Sequence, residues 1–421
     1  MHQKIMQISP QPQPQPQPPS RFGVLRAGRE RAVHAQCRGR RGVSRTASLA
    51  AFCTCLMAAG NVCAEPEVVL YGEIDTGLTY ANPVAGDGGK GQRWALTSSN
   101  IAGSFFGLRG TEDLGGGASA LFVIERGIDS ANGTAVDGQP VYVGLSDARL
   151  GTLTLGLQYD AVNDYLAPLT LTGSDGGTYF AHPFDSDNAN ASVLTSHTVK
   201  WASAEWSGLR LGGQYAINPA STGGRDWSAG VAYGNGPLSL GAAYAHFADV
   251  APGDLSEGAI VTGQAAPDAV PAGAAQTGDA PALRLGRRVY GAGLNYALGA
   301  AVLGAVYTHV RYEGTSAAAS GRADLDNYEV NARYEVTPAV RLAAGFTHTQ
   351  GTSHVAGHTA RTAWNQIGIH ANYAMSRRTD LYAEGVHQRT SNGAPVAFVA
   401  GIGASGSDQM SVLAMGVRHR F

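Results

Sequence analysis

The residues most able to do chemistry are carboxylates gathered in one irregular stretch, Asp160–Ala191 (DAVNDYLAPLTLTGSDGGTYFAHPFDSDNANA), which holds Asp160, Asp164, Asp175, Asp185 and Asp187. Acids at these spacings could hold a cation or bias the charge of a solute path. The same stretch carries Leu166, Leu169, Leu171, Tyr179, Phe180 and Phe184, so it should fold against something. If that something is the inside of a wide barrel, the loop narrows the lumen and turns its acids to the permeant path. Otherwise it is a surface loop with solvated acids. Other chemistry is sparse. His348, His354 and His358 lie in or near one short loop, where solvated imidazoles are the ordinary reading, and no metal site is expected. There is no nucleophile motif or phosphate loop, and Gly115–Gly117 reads as a turn, so no catalytic residues and no cofactor are expected.

The elements that must position the acids read as strands. After Ala64 no stretch approaches twenty apolar residues, and no long segment has helical periodicity. Alternation over about ten residues, closed by turn chemistry, recurs sixteen times, from 67–80, 93–110 and 117–129 through to 378–390 and 408–421. Connections alternate in length. Long polar ones (81–92, 130–139, 160–192, 218–225, 249–285, 314–323, 351–360, 391–407) take turns with tight ones such as Asn235-Gly236, Leu298-Gly299 and Thr337-Pro338. That sorting predicts an all-β fold, a transmembrane antiparallel barrel of about sixteen strands in an outer membrane, too wide for side chains to fill. Tyr71, Tyr80, Tyr142, Tyr244, Tyr373 and Tyr382 stand near strand ends and would suit aromatic girdles. The 249–285 loop has little to bury and should be external. The last strand puts Leu413, Met415 and Val417 on a lipid face and Arg418 and Arg420 on a water face, near the short-turn rim.

The N-terminus is different. Residues 1–42 are Gln/Pro- and Arg-rich low complexity, and 43–64 read as a signal peptide whose apolar run is ASLAAFCTCLMAAG, cleaved after Ala64; 65–421 is the expected barrel. Because the Gln/Pro tract precedes a complete export signal, the start is expected later, near Val43. A lipid anchor at Cys63 and a twin-Arg signal at Arg40-Arg41 are weaker readings. All four cysteines (Cys37, Cys53, Cys55, Cys63) fall in the removed part. Taking its nine basic and one acidic residue from totals of 30 and 32 leaves 21 and 31, a net charge of −10, which argues against nucleic acid as a partner.

Several strings together resemble the Gram-negative general diffusion porins: Leu70–Gly77 (LYGEIDTG), Gly107–Gly116 (GLRGTEDLGG), Gly176–Pro183 (GGTYFAHP), Asp326–Glu329 (DNYE), Tyr382–Gly385 (YAEG) and Gly416–Phe421 (GVRHRF). The resemblance runs from Val68 to the C-terminus. It implies a homotrimer of sixteen-stranded barrels in outer-membrane lipid and lipopolysaccharide, each with its third external loop folded into the pore. It also implies passage of ions and small hydrophilic solutes, and a C-terminal aromatic, Phe421, read by the barrel-insertion machinery. The family sets wall arginines opposite the acids of that loop, but this chain has Phe105, Gln139, Leu157 and Leu194 at those positions. Remaining candidates for wall cations are Arg93, Arg109, Arg126 and Lys200. On the acid side Glu125 and Asp75 match family positions and join Asp164, Asp175, Asp185 and Asp187. The expectation is a passive, cation-preferring diffusion channel with a weakened transverse field. The rivals are a substrate-specific porin or adhesin using the 249–285 loop, and a barrel enzyme.

Overall fold

Alternation is physically enforced in this chain because its two strand faces meet different surroundings. The computed structural model describes residues 67–85, 91–217, 225–250, 285–314, 321–355, 358–391 and 396–421. Among them, sixteen antiparallel strands close into one barrel. In chain order these are β1 (Glu67–Val84), β2 in two segments (Gly91–Ser98 and Phe105–Gly115), β3 (Ala118–Ile128), β4 (Val141–Asp147) and β5 (Gly151–Gln158). Then come β6 (Thr195–Ala202), β7 (Leu209–Ala216), β8 (Trp227–Asn235), β9 (Leu238–Val250), β10 (Leu285–Leu298) and β11 (Ala301–Gly314). The series ends with β12 (Gly321–Thr337), β13 (Val340–Val355), β14 (His358–Ala374), β15 (Thr379–Ser391) and β16 (Gln409–Arg420). Each strand pairs with its sequence neighbours, and β16 pairs with β1 in register Glu73↔Arg420 to Asn82↔Ser411, so no strand edge is left unpaired. Phe421 seals the join: its N–H donates to Gly72 O at 3.1 Å and its carbonyl accepts from Gly72 N.

The faces sort as the two-solvent reading requires. On β16, Met410, Val412 and Ala414 are buried inside while Leu413, Met415 and Val417 are exposed. Leu70, Leu108, Ile124, Leu155, Leu303, Ile369 and Leu381 continue the outward apolar belt, too much exposed hydrocarbon for a protein surrounded by water. Four of the five tryptophans (Trp94, Trp201, Trp206, Trp227) lie on this outer face, whereas Trp364 faces inward and is buried. Tyr290, Tyr328 and Tyr373 are outward too, but Tyr71, Tyr142 and Tyr382 are lumenal and do not belong to a girdle. The tight turns are built locally. Asp147 Oδ1 accepts from Arg149 N and Leu150 N, and Thr337 Oγ1 accepts from Val340 N.

The continuous strand expected over 93–110 is broken. Residues 99–104 leave the ladder and fold inward, so that Ile101, Ala102 and Gly103 line the lumen. Asp75 on β1 holds them: its Oδ2 accepts from Ile101 N at 2.6 Å and Ala102 N at 3.3 Å, while Tyr382 O–H donates to Oδ1 at 2.6 Å. A buried carboxylate that gathers backbone N–H groups outcompetes strand pairing locally. Residues 1–66, the expected leader among them, lie outside the described residues, as do most of the 249–285 loop and the centres of several other long loops.

Candidate functional site in the barrel lumen

The acidic stretch folds inward, as expected for a third loop, but its acids divide into two groups. The loop opens with α1 (Ala161–Tyr165), capped by Asp160, whose Oδ1 accepts from Asn163 N at 3.0 Å. Its apolar side chains then pack on the lumenal wall: Val162, Tyr165, Leu166 and Leu169 against Ala245, Val289, Val306, Val310 and Leu325, and Leu171, Tyr179 and Phe180 against Ala343 and Val386. Room for this comes from glycine. A Cβ at Gly230 would stand 2.5 Å from the Tyr165 ring, at Gly291 2.8 Å from Leu166, at Gly345 2.6 Å from Leu171, and at Gly368 inside the Phe180 ring contact. Part of the glycine content is therefore a cradle for the loop, beside the positive-φ glycines of the turns such as Gly236 and Gly299.

A buried polar latch fixes the loop to β11 and β12. His182 Nδ1 sits 2.6 Å from Asp187 Oδ2, and its Nε2 sits 3.0 Å from Glu329 Oε2. The other Glu329 oxygen accepts from Leu171 N at 2.7 Å, and Thr308 donates to Asp187 at 2.7 Å. Burial alone would lower the pKa of His182, but the Asp187 and Glu329 carboxylates outweigh it and hold the pKa well above its usual value. Asp187, despite burial, is held below the usual carboxylate range by His182. Asp185 accepts from Asn190 N, Ser192 N and Ser192 Oγ, and burial raises its pKa to about 6. Asp160, Asp185 and Asp187 are thus internal fasteners of the loop and do not face a solute path. Asp75, tied to residues 101, 102 and 382, is likewise structural. Each was expected to face the pore on strand parity or loop position alone; an acid beside unpaired N–H donors turns to them instead.

Below the loop, toward the short turns, lies a cavity of about 920 Å³. Glu125, Asp164 and Asp175 line it. Glu125 accepts from Tyr71 O–H at 2.5 Å, Asp164 pairs with Lys200, and Asp175 meets Arg341 Nη1 at 2.6 Å. Of the expected wall cations, Arg109 lies over the Tyr71 ring at 4.7 Å, and Lys200 is consumed by Asp164 and the Tyr159 carbonyl. Arg93 donates to Ile402 O at 3.4 Å, away from the cavity. Arg126 has the parity of the exposed Ile124, points outward and pairs with Asp137 at 2.5 Å. Of the four positions lacking the family arginine, Phe105 and Gln139 line the cavity. Leu157 pairs in regular register with the outward Val141, and Leu194 stands just ahead of β6; neither lines it.

Sequence reasoning missed three cavity arginines, Arg210, Arg333 and Arg341, all near the short-turn end. With Arg418, bonded to Asp380 at 3.0 Å, and Arg420, bonded to Glu73 at 2.8 Å, they give that mouth a basic rim. It also missed the last long loop, which folds in beside the third: Ala397, Val399 and Ile402 are buried, and Phe398 stacks on Phe184 at 4.7 Å. The run APVAFVAGIG within that loop is apolar enough to have signalled this. His348 and His354 sit on the outer face of β13. Among the described residues, no group of three or more His, Cys, Asp or Glu could hold a metal ion.

The curated relatives include an outer membrane porin protein of Bordetella pertussis, 29% identical over 215 residues, covering 44% of this chain and 55% of that one. Outer membrane porin protein 32 of Delftia acidovorans is 30% identical over 200 residues, with the same coverage. The chain spans about half the length of the curated relatives it matches. Among solved structures, an anion-selective porin from Comamonas acidovorans superposes with a TM-score of 0.65 at 22% identity, over 85% of this chain and all of that one. OmpT of Vibrio cholerae in a trimer form gives a TM-score of 0.63 at 15% identity, again over 85% of this chain and all of the other. These two share the fold. The model of the Gram-negative porin family matches residues 46–393, and with a closed barrel, an outward apolar belt and a loop-narrowed lumen the chain belongs to that family, in the outer membrane.

Proposed function

We propose that the chain forms a passive, water-filled channel through which ions and small hydrophilic solutes diffuse. The observation that carries this reading is a polar cavity inside a barrel whose outside is apolar, with a loop clamped to one wall and charged groups lining what stays open. The assembly is a homotrimer, the state in which one solved neighbour is described, and Phe421 at the β1–β16 join serves as the signal for barrel insertion. The long 249–285 loop lies largely outside the described residues, and no specific or adhesive role is assigned to it.

The channel prefers cations weakly. Beside the loop, Phe105 and Gln139 bring no charge and Glu125 brings a negative one, while the arginines cluster lower, at the short-turn rim, three of them bonded to Asp175, Asp380 and Glu73. The field across the loop-level constriction is therefore weak, and an anionic group stands nearest to it. Planar-bilayer recordings of the refolded chain in a salt gradient test both parts. Stepwise conductance with a reversal potential on the cation side is expected. No conductance overturns the channel, and clear anion selectivity overturns the preference.

A further inference from the structure

The last long loop, the eighth, is built into the barrel from both sides. Its inward part is a small hairpin, Phe398–Val399 against Gly403–Ala404, that turns at Gly401 with φ 75°. Toward the wall it is tied to three strands. Ala85 N donates to Ala404 O at 3.1 Å, Ser405 Oγ to Pro83 O at 3.0 Å, Arg93 to Ile402 O, and Trp364 Nε1 to Val396 O at 3.2 Å. Toward the lumen it rests on the third loop. Phe398 stacks on Phe184, the Phe184 ring meets Trp364 edge-on at 5.5 Å, and a Cβ at Gly401 would stand 3.1 Å from Thr178. Phe184 itself sits at φ 66°, ψ 8°, a left-handed conformation that a bulky residue keeps only when its surroundings hold it.

A chain of buried amides joins the same two loops through the wall. Phe398 N donates to Gln388 Oε1 at 2.6 Å, and Gln388 Nε2 donates to Gln366 Oε1 at 2.9 Å. Gln366 Nε2 then donates to Ala181 O at 3.1 Å and Tyr179 O at 3.4 Å. Gln366 on β14 and Gln388 on β15 lie directly opposite each other, and both are buried on the lumenal side. Each amide gives its oxygen to the eighth-loop side and its nitrogen to the third-loop side, so the orientation of one fixes the other. Losing one member strands buried polar groups on both sides of the gap. The segment that receives the chain, 179–181, follows Asp175 and Thr178, which line the cavity, and leads straight into the His182 latch.

We infer that the third and eighth loops form one mechanical body, in which Gln388, Gln366 and Phe398 are positioning residues for permeation. They set how far the lip of the third loop at Ser174, Asp175 and Thr178 reaches into the lumen, although none of the three lines the cavity. The inference rests on the diffusion-channel reading and adds to it the element that fixes the aperture. The test uses the refolded full chain carrying Gln388→Leu, which keeps the bulk and breaks the amide chain, or Phe398→Ala, which lies off the barrel ladder and so spares folding. Protease cleavage within 160–192, single-channel conductance and the barrel's thermal transition are read on the same samples. Either variant should be cleaved there about tenfold faster than the parent. Its current should be larger and noisier, with the thermal transition almost unmoved. Gln366→Leu should act like Gln388→Leu, and the two together should cost about as much as one, because the amide stranded by each single change is then gone. Faster cleavage within 396–408 while 160–192 stays as resistant as in the parent would overturn the inference, since the eighth loop would then be a separate cover. Faster cleavage of the third loop with unchanged conductance would also overturn it, since the aperture would not depend on the amide chain. A parent that does not conduct would fault the diffusion-channel reading instead, and the cleavage pattern would still decide whether the two loops are coupled.

Discussion

Replacing His182 should release the third loop without unfolding the barrel. His182→Asn removes the only group in the latch that touches both Asp187 (2.6 Å) and Glu329 (3.0 Å), and leaves two buried carboxylates facing one another. Stripping one partner from a buried ionic network costs roughly 3–5 kcal/mol, about two to three and a half orders of magnitude in the docked-to-released ratio. The barrel does not share that loss, because its strands are held by their own ladders. The expected outcome is cleavage within 160–192 by a protease at least about a hundredfold faster than in the parent, provided opening is fast relative to cutting. Single-channel current should become noisy, with the barrel's thermal transition almost unmoved. Adding Glu329→Gln removes one of the stranded charges and should restore part of the protection, a non-additive result that a merely misfolded loop would not give. The pH dependence has a definite sign. Because the pKa of His182 is raised, its contribution is complete below about 6.5 and fades only as pH climbs through the raised value; that of Asp187 is lowered, so its contribution fades on acidification below about 3.8. The parent loop should therefore resist protease throughout the neutral range. Cleavage of His182→Asn within threefold of the parent would refute the latch.

Three further outcomes follow from the same geometry. Phe105→Arg and Gln139→Arg should each move the reversal potential toward anions, whereas Leu157→Arg should leave it in place and, as a charge on the lipid face, destabilise the barrel by up to about 2–4 kcal/mol; a selectivity shift from Leu157→Arg would show that its outward assignment is mistaken. Burial raises the pKa of Asp164 to about 6 against the pull of Lys200, so selectivity should drift toward anions as pH falls through about 6 and Lys200 loses its counter-charge. The raised pKa means the folded chain holds that proton more tightly, so no loss of stability accompanies the drift, and Asp164→Asn should abolish it. Gly368→Val would push side-chain atoms into Phe180 and loosen the loop by about 1–3 kcal/mol, read as faster proteolysis; unchanged protection would mean that the cradle is not tight there.

The sequence by itself determined the architecture, because period-two alternation and the strict sorting of long loops from tight turns are local properties that a barrel between lipid and water requires. Leu413, Met415 and Val417 could be placed on the lipid face from spacing alone. Apolar residues among the acids likewise foretold that 160–191 would fold inward. What only the tertiary structure decided was which charges face solutes. Asp75, Asp185 and Asp187 had the right type, and Asp75 the right parity, but each is claimed by donors far away in the chain or across a tight loop, at residues 101, 182, 192 and 308. Arg126 and Leu157 were expected on the pore wall, yet Arg126 shares the outward parity of Ile124, and Leu157 shares that of Leu155, opposite the outward Val141 in an unbroken register. Arg333 and Arg341 line the cavity through strands whose neighbours are known only once the barrel closes. The fold is set by patterns within about ten residues, whereas the charge of the pore is set by side-chain contacts that only the folded chain brings together, from Asp185 with Ser192 inside one tight loop to Asp175 with Arg341 across the barrel.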